Sequence, residues 1–177
     1  MQSPPLAPPV EDELLSALSF VDGEQPEASI QALTALSQAH PGHVDIPDAW
    51  ASLGDSPPAR GTFGVKVLQA LIPIVRSWPE PRGRSTMLMA LAELELTHRE
   101  ANWAAHWIRK AIEADPTDAR PWDLLELMLD AHPKLPVGRA TRDALTQLRQ
   151  AQGELPINEE DFAGETFDEW DESAPAG

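Results

Sequence analysis

Residues 88–122 read LMALAELELTHREANWAAHWIRKAIEADPTDARPW, and the fold turns on how this stretch is parsed. Leu88, Leu91 and Ala92 recur at the three- and four-residue spacing that places side chains on one face of a helix. The link His98-Arg99-Glu100 separates this run from a second, in which Ala104, Ile108 and Ala111 form a face of mostly small residues. Small facing side chains let helix axes approach closely. Pro116 cannot continue the second helix, and Asp118 stands where a carboxylate caps the next, which carries Trp122, Leu125 and Leu129. Helices are therefore expected over 85–97, 101–114 and 121–131.

The same signals extend outward in both directions. Upstream, 65–78 predicts a helix kinked at Pro73 and ended by PEPRGR, preceded by GDSPPARGTFG, whose three Gly and two Pro read as a loop. A short helix over 47–53 is anchored by Trp50. Another begins at Pro26 and stops before Pro41, facing a partner with Ala28, Ala32, Leu33, Leu36 and Ala39. The first, over 10–21, presents Leu14, Leu15, Leu18 and Phe20, with Glu11, Asp12 and Glu13 suiting the positive end of its dipole. Only a short turn separates these two, which implies an antiparallel hairpin. Downstream, 136–151 predicts a last helix with Ala140, Ala144, Leu145 and Leu148 inward. The fold class is all-α.

Composition bounds the function. The net charge is −16, and 154–177 alone holds nine acidic residues and no Lys or Arg, which leaves −7 on the rest. Nucleic-acid affinity rests on Lys and Arg releasing counterions, so neither part is expected to bind nucleic acid. Without cysteine there is no thiolate metal site, disulfide framework or thiol nucleophile. No run reaches the roughly 18 apolar residues that span a bilayer, and MQSPPLAPPVEDE lacks the basic and apolar regions of a signal peptide. The expectation is a cytoplasmic protein without membrane insertion. Residues 1–9 are expected to form a proline-rich flexible lead, 10–152 the helical domain, and 153–177 an acidic-aromatic tail whose composition predicts disorder in isolation.

Helix-ending prolines recur at Pro41, Pro81 and Pro116, separated by 40 and 35 residues. A period in the mid-thirties built from helix pairs marks a helical solenoid. Residues 85–118 resemble a tetratricopeptide repeat: Leu88, Leu91, Ala92, Ala104, Ile108, Ala111 and Pro116 fall where that pattern wants them, and Trp122 takes the first aromatic position of the next unit. Glu95 departs from a usual aromatic position and Arg99 from the usual turn glycine; 10–43 match more loosely, while 44–84 and 119–152 fit in helix pairing and length. The resemblance implies a right-handed solenoid of about four antiparallel hairpins, with the first helix of each pair lining a concave groove. Carried onto this sequence, the groove positions are Thr86, Met89, Ala90, Glu93, Leu96 and Thr97, then Arg120, Asp123, Leu124, Leu127 and Asp130. Of these, Met89, Glu93, Leu96, Arg120, Asp123 and Leu127 are the candidate partner-binding residues. The family's clamp for a C-terminal carboxylate needs Lys and Asn; Met89 and Glu93 stand in their places, so no such clamp is expected.

Other candidates are weighed on their spacing. Trp103 and Trp107 lie one turn apart and share a face, as core or as a protein-binding hot spot. Phe162, Phe167 and Trp170 sit among acids in DFAGETFDEW, a pattern suited to binding a basic, apolar surface. His40, His43 and Asp45 share a turn with no second shell in view, and no metal or cofactor is expected. No nucleophile stands beside an oriented base, so no enzyme is expected. The expected job is that of an adaptor or assembly factor that binds one or more proteins presenting basic or apolar segments. The alternatives are a dedicated chaperone for a secreted or assembling client, and a non-catalytic regulatory subunit of a larger enzyme.

Overall fold

The computed structural model describes residues 9–22, 25–151 and 153. Among them the chain is all-helical: α1 (Val10–Asp22), α2 (Pro26–Ala39), α3 (Ile46–Asp55), α4 (Thr62–Ser77), α5 (Pro81–Thr97), α6 (Ala101–Ala114), α7 (Ala119–Ala131) and α8 (Arg139–Ala151), with a 3-10 turn at Pro57–Arg60. The expected lead, Pro9 apart, and the expected tail with Phe162, Phe167 and Trp170, Gly153 apart, lie outside the described residues. No helix among the described residues is long and apolar enough to cross a membrane.

Proline sets several starts, because its missing N–H costs nothing in a first turn. It opens α2, α3 and α5. At α5 this extends the sequence reading: PEPRGR follows the end of α4 at Ser77, as expected, and also begins the next helix. The Glu80 side chain accepts the backbone N–H groups of Arg82 and Gly83, so α5 starts at Pro81 instead of 85. Gly83 is buried, and a Cβ there would lie 2.8 Å from Pro47 Cγ and from Trp78 Nε1. The expected loop over 54–64 is likewise much shorter. α3 runs through Asp55 and α4 opens at Thr62, with Gly64 already inside it. A Cβ on Gly64 would come within 2.0 Å of the Ala59 carbonyl oxygen. Both glycines permit close packing inside helices; neither breaks one. Pro73 lies on the exposed side of α4, which continues to Ser77.

The core centres on α5, which packs on α6, α3 and α4. Ten of its residues are buried, among them the run Ser85–Ala92, because its apolar side chains face several neighbours at once. Trp50 of α3, Leu71 of α4, Leu91 and Leu94 of α5, Ile108 of α6 and Leu125 of α7 are fully buried. Each such side chain contributes roughly 1.5–3 kcal/mol relative to exposure. α1 packs on α2, and α4 also meets α2; α3 rests mainly on α5 and touches α4 little. Buried polar groups tie the layers. Trp50 Nε1 donates to Ser37 Oγ at 3.0 Å, and Ser85 Oγ donates to Asp118 Oδ2 at 3.0 Å.

Some expected faces rotate. Leu14 and Ala17 carry the contact of α1, whereas Leu15 is 68% exposed and Leu18 and Phe20 are half-buried. Ala39, Ala140 and Leu148 were expected inward and are exposed. In α2 the buried positions are Ser29, Leu33, Leu36 and Ser37. α8 starts at Arg139 rather than 136 and buries Leu145 alone. Its link to α7 is largely ionic, through Arg149 to Glu126 and to Asp130.

Candidate partner-binding groove

α3, α5 and α7 together line a groove of about 490 Å³. Asp48 and Ala51 come from α3, Thr86, Met89, Ala90 and Glu93 from α5, and Arg120, Asp123, Leu124 and Leu127 from α7. The register of α7 against α5 is fixed by one polar cluster. Asp118 caps α7 by accepting Arg120 N–H, and its carboxylate also receives Arg120 Nε at 2.9 Å and Nη2 at 2.6 Å. Arg120 Nη2 reaches across to Thr86 Oγ1 at 2.9 Å. Hydrogen bonds from the Arg120 side chain, with further ones from its backbone N–H and from Ser85, hold the Asp118 carboxyl below its ordinary value against the opposing effect of burial. This cluster is a positioning device, because each of its groups is satisfied within it.

The electrostatics of the groove follow. Arg120 is committed to Asp118, so Asp48, Glu93 and Asp123 set the charge that a visitor meets. Burial pushes the Glu93 carboxyl up, Asp55 adds to that, and Arg120 works against it. A partially desolvated carboxylate gains most from an incoming cation. Met89 and Ala90 are buried in the groove wall, Leu124 is half-buried, and Leu127 is 66% exposed at the lip. Apolar and acidic surfaces therefore adjoin, and methionine adapts its shape to irregular apolar contacts.

Of the candidate residues, Met89, Glu93, Arg120, Asp123 and Leu127 line this one groove, while Leu96 packs against the hydrophobic core instead. Thr97 and Asp130 are exposed outside it. The sequence reading missed Asp48 and Ala51. They lie three apart on α3, and carrying the groove positions onto the preceding helix pair would have found them.

The remaining candidates fall elsewhere. Trp103 and Trp107 stack at 6.3 Å on α6, with the His106 ring edge-on to both. Trp107 packs against the core. Glu11 replaces His40 beside His43 and Asp45: these three bring ligand atoms within 4.8 Å of one another. Glu11 and Asp45 are solvent-exposed, and the His43 Nδ1 accepts the Asp45 N–H at 3.4 Å, which is the geometry of a turn. Comparison with protein-family models, with curated proteins and with solved structures finds no match.

Proposed function

We propose that the chain is a helical-repeat interaction module, similar to the tetratricopeptide-repeat solenoids, that serves as an adaptor or assembly factor. In this reading the helices follow one another as the pairs α1/α2, α3/α4, α5/α6 and α7/α8, closely packed in α1/α2 and α5/α6 and opened in α3/α4, and the first helices of the last three pairs line the concave side. The groove takes an apolar segment flanked by Lys or Arg, such as an amphipathic helix. The apolar side chains would sit on Met89, Ala90, Leu124 and Leu127 and the cations would approach Asp48, Glu93 and Asp123. The observation that supports this best is the convergence of an apolar wall with Asp48, Glu93 and Asp123 on one concavity, whose single arginine is hydrogen-bonded to Asp118. A binding rather than catalytic role is consistent with Ser85, whose buried hydroxyl serves Asp118 as a strut.

The test uses a synthetic amphipathic helical peptide with leucines on one face and lysines flanking it, titrated into the full chain. Binding should weaken with salt and be lost in Leu127→Asp. That substitution makes the protein more acidic, so diffuse attraction of a cationic peptide would strengthen it. Unchanged or tighter binding by Leu127→Asp would overturn the groove reading.

A further inference from the structure

We propose that Glu93 and Asp55 form a two-carboxylate subsite that takes one Lys or Arg at a single end of the segment bound in the groove. This subsite presupposes the groove described above and adds a place and a number: one cation, at the C-terminal ends of α3 and α5. The two helices run parallel. A Cβ on Gly83, near the start of α5, would lie 2.8 Å from Pro47 Cγ at the start of α3. Toward the other ends, a Cβ on Gly54 would lie 3.4 Å from Leu94 Cδ1. Asp55 is the last residue of α3 and Glu93 immediately precedes Leu94, so the two carboxylates flank that contact.

The two ends of the groove differ in charge. At the starting end, Arg120 bonds Asp118 and Thr86 and also faces Asp48. At the finishing end Glu93 and Asp55 are both exposed, and neither carboxylate accepts a hydrogen bond or pairs with a cation among the described residues. Burial raises the Glu93 carboxyl above its ordinary value, Asp55 adds to this, and Arg120, the smallest influence, opposes both. Such a pair works against folding. Like charges repel, and Asp55 also meets the negative end of the α3 dipole. A cation between the two carboxylates relieves both effects, and stability given up in this way is a recurrent mark of a functional site. The place also suits a long aliphatic stem. Arg120 meets Thr86, and Leu127 and Glu93 each stand seven residues, about two turns, further along α7 and α5. The exposed Leu127 is therefore level with Glu93, where the methylenes of Lys or Arg can lie on it.

A double-mutant cycle on the full chain tests this. Two helical peptides share one leucine face and differ at a single flanking position, lysine in one and norleucine in the other. Asp55→Asn should weaken the lysine peptide several-fold and leave the norleucine peptide unchanged. The same variant should raise the denaturation midpoint, because it removes a repulsion, whereas a merely structural carboxylate would lower it. Asp12→Asn deletes the same charge from an exposed site on α1 and should produce no difference between the peptides. A second lysine on the other flank should add less than the first. Equal losses for both peptides, a midpoint that does not rise, or a second lysine that tightens binding as much as the first overturns the subsite, while binding that still depends on Leu127 leaves the groove standing. Failure of the lysine peptide to bind, or its retention by Leu127→Asp, overturns both.

Discussion

α5 and α8 are both regular helices, yet they are held by opposite means. α5 is apolar on most of its circumference, and ten of its seventeen residues are buried among α3, α4 and α6. α8 is polar on three sides, buries only Leu145, and leans on α7 through Arg149. The contrast separates a centre set by packing from a margin set by one apolar side chain and the ion pairs of Arg149. Because the groove wall belongs to α5 and its lip to α7, the groove combines the packing of the first with the accessibility of the second.

The sharpest way to break this contrast is to cut both helices alike. Leu91→Ala should cost about 2–5 kcal/mol of global stability, seen as a lowered denaturation midpoint. Leu145→Ala should cost less globally, because α8 opens on its own: hydrogen exchange over 139–151 should rise while 81–114 keeps its protection. Equal global losses would show that α8 is not marginal. Asp118→Ala removes the cap of α7 and strands the buried Ser85 hydroxyl, for a loss of about 1–3 kcal/mol.

The same carboxylate predicts a pH effect. Its folded-state pKa lies below the ordinary 3.8, so its contribution is present above that value and lost as pH falls through the folded one. Asp118→Asn should lack that acid-linked step in denaturation midpoints measured against pH. Arg149→Ala should cost about 1–3 kcal/mol, because the Arg149 side chain is 12% exposed and its loss leaves Glu126 without its partner. Leu127→Asp should shift stability by no more than about 0.5 kcal/mol while removing peptide binding. Glu93 adds a sign of its own. Burial raises its pKa above the ordinary 4.5, so binding of a cationic peptide should weaken on acidification before pH reaches that value, and Glu93→Gln should lose this step.

The centre of the molecule was the more legible part of its sequence, for a physical reason. The interruption at 98–100 and the stop at Pro116 are local signals, so the expected bounds of 101–114 match α6 residue for residue. The Asp118 cap was legible in the same way. Glycines misled where their role is tertiary: Gly64 and Gly83 answer to Ala59, Pro47 and Trp78, which no local window contains. Side-chain orientation on the outer helices depended on which neighbour was available, which is why Leu15 and Leu148 face outward. In the groove, Met89, Glu93, Asp123 and Leu127 were implied by the resemblance to the tetratricopeptide repeat. The neutralisation of Arg120 was not, because it depends on Asp118 folding back beneath it.

The most direct measurement is native mass spectrometry of complexes isolated from the protein's own cells with the full chain and with Leu127→Asp. The account predicts a partner carrying an apolar segment flanked by Lys or Arg, present with the full chain and missing with the variant, while both remain equally folded. A partner retained undiminished by Leu127→Asp would contradict it.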